Sequence, residues 1–221
     1  MFDTLLSLPL FQGLSHDDLT RILESTHLSF ETLPPESTII RQDELCTGLT
    51  YVLSGEVEGH TEAADRSWSV VETLPTPMVL GLDVLYGRAR VHQFSAYARS
   101  STRLLTIDKH TVAALTGYFE VFRINVLNAL TTTIAQQRQP LWTPAAATLE
   151  GRIVEFLRQH VLRPAGHKIF RISMRTLGAY LGEDQRYVSM AAHRIERRGL
   201  IQLRRSAIQV PAFESLIQAK L

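Results

Sequence analysis

The chain has 221 residues, 45% hydrophobic and 20% charged. That is an ordinary balance for a globular protein, with length enough for one large core or two smaller ones. No apolar run approaches the ~18–20 residues of a bilayer-spanning helix. Met1-Phe2-Asp3 lacks the basic stretch of a secretory leader. The single cysteine, Cys46, can make neither an internal disulfide nor, alone, a zinc or iron–sulfur site. A cytoplasmic address with no membrane partner and no metal is the expectation. The net charge of +1 conceals an asymmetry. Residues 1–147 carry 10 basic against 16 acidic side chains, and residues 148–221 carry 13 against 6. Net charges of −6 and +7 suggest that one end meets a polyanion and the other does not.

The first 30 residues read as helical. Leu5, Leu6, Leu8 and Leu10 precede Gly13. Ser15 then stands as an N-cap before Leu19, Ile22 and Leu23 on one face. From about Phe30 to Ile107 short β-prone runs alternate with turn residues. The runs are Thr38-Ile39-Ile40, Leu49-Thr50-Tyr51-Val52-Leu53, Trp68-Ser69-Val70-Val71, Met78-Val79-Leu80 and Leu104-Leu105-Thr106-Ile107. The breakers include Pro34-Pro35, Gly48, Ser54-Gly55, Pro75, Pro77, Gly81 and Gly87. Many short strands with frequent turns imply a sandwich or barrel.

After Asp108 the strands stop. Tyr118 to Gln139 contains no Gly or Pro. Phe119, Phe122, Val126, Leu130 and Thr133 recur there at three- or four-residue steps, which predicts one long helix with an apolar seam. The seam packs either on the helix's own β-domain or on a second copy, and its length favours a dimer. Pro140, Pro144 and Ala145-Ala146-Ala147 interrupt the pattern and mark a hinge. The helical period returns at Ile153, Val154, Phe156, Leu157 and Val161. The expected division is 1–117 for the β-rich domain, 118–139 for the dimerisation helix, 140–147 for the hinge and 148–221 for the C-terminal domain.

Residues 172–210 carry the most chemistry. Met174 to Leu181 has helix-forming composition, with Leu177 and Leu181 four apart and Gly182 as its C-terminal stop. Asp184 can cap a second helix that runs to about Arg198 and stops at Gly199. Val188, Ala191, Ala192 and Ile195 form its inner face. Gln185, Arg186, Ser189, Met190, His193, Arg194 and Arg197 point outward. Two short helices joined by a tight turn, the second presenting Gln and Arg near its start, match a helix-turn-helix. Gln can pair with adenine N6 and N7, and Arg with guanine O6 and N7. Leu200 to Leu203 and Ala207 to Val210 flank Arg204-Arg205-Ser206, which reads as a hairpin wing with phosphate-binding arginines at its tip.

Taken together these segments resemble the cyclic-AMP receptor protein / FNR (Crp/Fnr) family of bacterial transcription regulators. The likeness runs along nearly the whole chain. Leu149-Glu150-Gly151-Arg152-Ile153 is similar to the family's "TGRI" start of the DNA-binding domain. Ile172-Ser173-Met174-Arg175-Thr176-Leu177-Gly178-Ala179-Tyr180-Leu181-Gly182 follows its "ITRQEIGQIVG" helix, and Arg197-Arg198-Gly199-Leu200-Ile201 its "xxxLI" approach to the wing. The resemblance implies an α+β chain: an N-terminal cyclic-nucleotide-binding-like β-roll, a long dimerisation helix and a C-terminal winged helix-turn-helix. It implies base reading by Gln185, Arg186 and Met190, and phosphate contacts by Ser173 and Arg175. The expected partners are double-stranded DNA, a second copy of the chain and RNA polymerase.

The sensor region departs from the family pattern. Where the family has a "GE" pair to hold a ribose, Gly81 is followed by Leu82 and Asp83. Where it has "RS" for the phosphate, His92-Gln93 stands instead. Leucine accepts no hydrogen bond, and a neutral imidazole is a poor substitute for a fixed guanidinium. Gln137 and Arg138 occupy the long-helix positions that touch adenine in the receptor. The resemblance therefore implies a degenerate nucleotide pocket that does not use cyclic AMP, with the effector unidentified and no bound cofactor. The FNR branch's several cysteines are not matched, and the eight histidines lack ligand spacing. No P-loop, HExxH or nucleophile–base set indicates an enzyme. The alternative reading is a ligand- or protein-binding module whose basic C-terminal domain contacts a partner protein.

Overall fold

The structure is a computed structural model that describes residues 2–138 and 146–219. The expected hinge lies largely outside the described residues. Two compact units emerge, and they are interleaved in sequence. Among the described residues, the first comprises 2–57, 75–93 and 97–138, and the second comprises 58–74, 94–96 and 146–219.

The first unit opens with α1 (Phe2–Leu6), a short 3-10 turn at Pro9–Phe11 and α2 (His16–Ser25). Ser15 caps α2 as the sequence predicts. Its hydroxyl accepts the Asp18 amide at 3.1 Å, and the Asp18 carboxylate accepts the Ser15 N–H at 3.4 Å. β1 (Ser29–Leu33), β8 (Thr102–Asp108), β3 (Gly48–Ser54) and β6 (Met78–Leu80) form an antiparallel sheet in that spatial order. Its register sets Leu49 against Ile107 and Tyr51 against Leu105. All four are fully buried. The period of two thus places every second side chain of β3 and β8 in one core. β2 (Thr38–Ile40) and β7 (Ser95–Ala98) are the other strands of this stretch.

Two helices follow, α3 (Lys109–Tyr118) and α4 (Glu120–Arg138). Asp108 caps α3 by accepting the amides of His110 and Thr111. The apolar seam predicted for dimerisation runs along α4, but it does not face outward. Phe122 is wholly buried and Val126 nearly so, in the core built by α1, α2 and the sheet. Phe119 and Leu130 pack against the same core. Asn125 adds hydrogen bonds to the carbonyls of Leu10 and Gln12. The physical reason is simple: the sheet and N-terminal helices leave one side of their core open, and α4 closes it. Of the predicted seam only Thr133 is exposed. A different apolar row is exposed on α4: Ile124, Leu127 and Ile134, at 46%, 54% and 50%.

The second unit is built around α5 (Leu149–Gln159), β9 (Lys168–Arg171), α6 (Met174–Leu181), α7 (Gln185–Arg197), β10 (Gln202–Arg204), β11 (Ala207–Val210) and α8 (Phe213–Gln218). Its sheet runs β10-β11-β9-β5-β4, where β4 is Val57–Glu62 and β5 is Ser69–Leu74. Ile153, Phe170, Leu177, Val188, Ala191, Ala192, Ile195 and Ile208 are fully buried and fill one core. Among the described residues, no helix is long and apolar enough to cross a membrane.

Candidate nucleic-acid interface

The pair α6–α7 follows from local chemistry. Ser173 caps α6 by accepting the Thr176 amide at 3.0 Å. Gly182 ends it in the left-handed region, at φ 67°, where a side chain would be strained. Asp184 caps α7 through the Arg186 amide at 2.8 Å. The turn folds back onto α6 so closely at Gly178 that an added Cβ would lie 2.6 Å from the Glu183 carbonyl oxygen. The predicted inner face of α7 is the observed one: Val188, Ala191, Ala192 and Ile195 have no exposed surface. Gln185, Arg186, Met190, His193 and Arg194 are exposed on the opposite face, and Ser189 is half-buried between them. Met190, His193, Arg194 and Arg197 share a shallow depression of about 370 Å³.

Two of these side chains are already engaged. The Arg194 guanidinium donates to the Glu150 carboxylate in the first turn of α5. That contact holds Glu150 below the usual carboxylate range. His193 pairs with Glu196 at 3.0 Å. Glu196 also accepts the Leu203 amide at 2.7 Å, so it ties α7 to the following hairpin. Sequence reading missed Glu150 and Glu196. Only their acidity inside a basic stretch marked them. Arg152 is a further brace, donating to Glu183 and to the Leu181 carbonyl at the α6–α7 turn. Gln185, Arg186, Tyr187 and Met190 are the exposed positions that the first half of α7 offers to a ligand.

The hairpin pairs Gln202 with Gln209 and Arg204 with Ala207. Arg204 therefore closes the strand, while Arg205 and Ser206 form the turn, with Ser206 at φ 55°. Both arginines are exposed. Arg175, the second residue of α6, is exposed too, whereas the Ser173 hydroxyl is occupied by its cap and by Thr176 Oγ1 at 2.8 Å.

The proposed effector residues assemble only in part. Residues 43–46 and 90–92 exchange backbone hydrogen bonds, and Leu45 bridges Val91. An added Cβ on Gly81 would meet Cys46 Sγ at 2.8 Å and the Gly48 carbonyl at 3.0 Å, with the His92 ring beside it. Gly81, Cys46 and His92 therefore share one tight corner. Burial holds the His92 imidazole below its ordinary value, and the nearby Asp83 and Glu44 carboxylates oppose that only partly. His92 is thus a neutral ring near pH 7. Burial raises the Cys46 thiol, which donates to the Gly48 carbonyl at 3.2 Å. Leu82 packs on the core, Asp83 and Gln93 are exposed, and Gln137 and Arg138 lie on the exposed last turn of α4. Among the described residues no three His, Cys, Asp or Glu side chains group to hold a metal.

Residues 30–117 match the family described as Cyclic nucleotide-binding domain. No curated protein matches the chain. Solved structures do. The catabolite activator protein of Thermus thermophilus is 20% identical, with a TM-score of 0.50 over 96% of this chain and 97% of that one. A transcriptional regulator of the Crp/Fnr family from Eubacterium rectale is 16% identical, with a TM-score of 0.52 over 95% and 96%. The sensor domain of the transcriptional regulator DNR from Pseudomonas aeruginosa is 18% identical, with a TM-score of 0.51 over 62% and 96%. At such identities the likeness establishes the fold. Residues 30–117 thus match the cyclic nucleotide-binding domain family, in a chain similar in fold to transcription regulators of the Crp/Fnr family.

Proposed function

We propose that the chain is a sequence-specific DNA-binding transcription regulator that acts as a homodimer on an inverted repeat, with α6–α7 and the β10–β11 hairpin as its winged helix-turn-helix. The observation that carries this reading is the division of α7 into a fully buried apolar face and an exposed face of Gln185, Arg186 and Met190, flanked by the exposed Arg204 and Arg205. Arg186 reads a guanine, Gln185 an adenine, and Met190 touches a thymine methyl. Arg204 and Arg205 bind phosphates and add affinity without sequence information. The exposed Ile124, Leu127 and Ile134 row on α4 is the contact with the second copy. Pairing places two α7 helices about one DNA turn, ~34 Å, apart. RNA polymerase is the further partner of such a regulator. Cyclic AMP is not the effector in this reading: where the Crp/Fnr pattern has a ribose acceptor and a phosphate cation, this chain has Leu82 and a His92 whose burial disfavours the charged ring.

The test is selection of genomic fragments by the purified chain, with and without cyclic AMP. An inverted repeat enriched without nucleotide supports the reading. Enrichment only with cyclic AMP overturns the effector statement, and no enrichment in either case favours a basic unit that contacts a partner protein. On the selected site, Arg186→Ala should lose roughly 1–3 kcal/mol and relax specificity at one base pair. Replacing Arg204 and Arg205 by Ala should weaken all sequences alike and flatten the salt dependence.

A further inference from the structure

The sheet of the second unit does not end with its own C-terminal strands. β9 pairs on one side with β11 and on the other with β5, a strand that lies within the cyclic nucleotide-binding domain in sequence. The pairing is antiparallel over four residues: Ser69 with Arg171, Val70 with Phe170, Val71 with Ile169, and Glu72 with Lys168. Side-chain packing joins the same segments that the backbone pairs. Trp68 and Val70 belong to the core of the second unit. The Trp68 ring meets Phe156 at 5.4 Å, His160 at 4.8 Å and Tyr180 at 6.0 Å, side chains of α5, of its C-terminal cap and of α6. At the end of the paired stretch, Glu72 and Lys168 form an ion pair at 2.9 Å with 1% and 0% of their side chains exposed. The second carboxylate oxygen of Glu72 accepts the Leu162 amide at 2.9 Å.

A buried ion pair is a poor source of net stability but a strong determinant of arrangement. Either charge left alone in an apolar interior is very costly, whereas the pair is tolerated. We infer that the β4–β5 hairpin is the element that couples the nucleotide-binding domain to DNA affinity, and that Glu72 and Lys168 are the positioning residues that latch it onto β9. The inference rests on the DNA-binding reading above. β4 and β5 are covalently continuous with residues on either side that belong to the first unit. A pull on the hairpin reaches β9, which leads through Ile172 into α6, and Trp68 bears on α5 and α6 directly. α5 in turn braces the α6–α7 turn through Arg152 and the outer face of α7 through Glu150.

The test uses the full chain and compares wild type with Glu72→Gln and with the double variant Glu72→Leu, Lys168→Met. Amide hydrogen exchange is followed in residues 69–72 and 168–171 and in the interiors of α6 and α7. Glu72→Gln strands the Lys168 charge, so exchange in both paired strands should rise at least about tenfold while α6 and α7 keep their protection. The affinity for the selected operator should fall by about as much. The double variant replaces the pair with apolar groups, so protection and affinity should return to near wild type. Unchanged exchange in Glu72→Gln overturns the latch. Released strands with unchanged operator affinity overturn the coupling. Loss of protection throughout the unit makes the pair a general folding element and also overturns it. A wild-type chain that selects no DNA refutes the DNA-binding reading instead, and the exchange comparison still decides the latch.

Discussion

Phe122→Ala separates the two roles that α4 could play. Phe122 is fully buried and stands edge-on to Phe11, with ring centroids 5.2 Å apart at 70°. Truncating such a phenylalanine removes its transfer free energy and leaves a cavity, together about 3–5 kcal/mol. For units of this size range each kcal/mol lowers the melting temperature by about 2–8 °C, so a fall of at least roughly 6 °C is expected. The loss belongs to the fold of one chain, so it should appear equally at low and high protein concentration. Thermal and urea unfolding followed by circular dichroism, with sedimentation to report association, make the comparison. Leu127→Ser is the control. At 54% exposure it should change stability by no more than about 0.5 kcal/mol but raise the dimer dissociation constant. If Phe122→Ala instead leaves the unfolding midpoint unchanged and only weakens association, the core assignment is wrong and the seam is intermolecular.

Two further predictions concern the second unit. Gly178→Ala should destabilise it by about 1–3 kcal/mol, because the new methyl must push the Glu183 carbonyl of the α6–α7 turn away from 2.6 Å; an unchanged urea midpoint would show that the turn is not in such close contact with α6. Acid should weaken the same unit. Glu155 is held below its ordinary value of 4.5, first by the hydrogen bond from Arg158, and Glu196 likewise, first by the Leu203 amide. A carboxylate with a depressed folded value contributes stability that is complete above the unfolded value and is lost as pH falls through the folded one. Melting temperature attributable to these groups should therefore hold down to about pH 4.5 and fall below it, and Glu155→Gln should flatten part of that fall. A decline that begins in the histidine range, near pH 6.5, would contradict the assignment.

Much of the local structure was legible in the residues themselves. Ser15, Gly182 and Asp184 act at the helix ends that their side chains or conformational freedom favour. The inner face of α7 follows from a 3.6-residue period, and the runs at Thr38, Leu49, Met78 and Leu104 became strands because β-branched and apolar residues alternate between breakers. β9 and α8 were not foreseen. Lys168–Arg171 is only four residues long and carries a charge at each end, and Phe213–Gln218 is too short for a helical period to stand out. Gln185, Arg186 and Met190 could be placed on an outer face because that face is defined by the apolar one opposite it.

Long-range partners were not legible. An apolar stripe announces that a face will be buried but not what buries it, so Phe122 and Val126 read equally well as a dimer seam and as the core that they turned out to fill. Strand pairing is likewise a relation between distant segments, and nothing in Ser69–Glu72 or Lys168–Arg171 alone says that they lie side by side. Nothing local marked Glu72 and Lys168 for burial, because charged residues are rarely buried unless paired, and the pairing exists only once the chain has closed on itself. Most elements, their caps and the faces they must hide could be read from the residues alone, since those depend on neighbours within one or two turns. Which faces meet was decided by the tertiary structure alone, because that depends on the shapes left open by every other element.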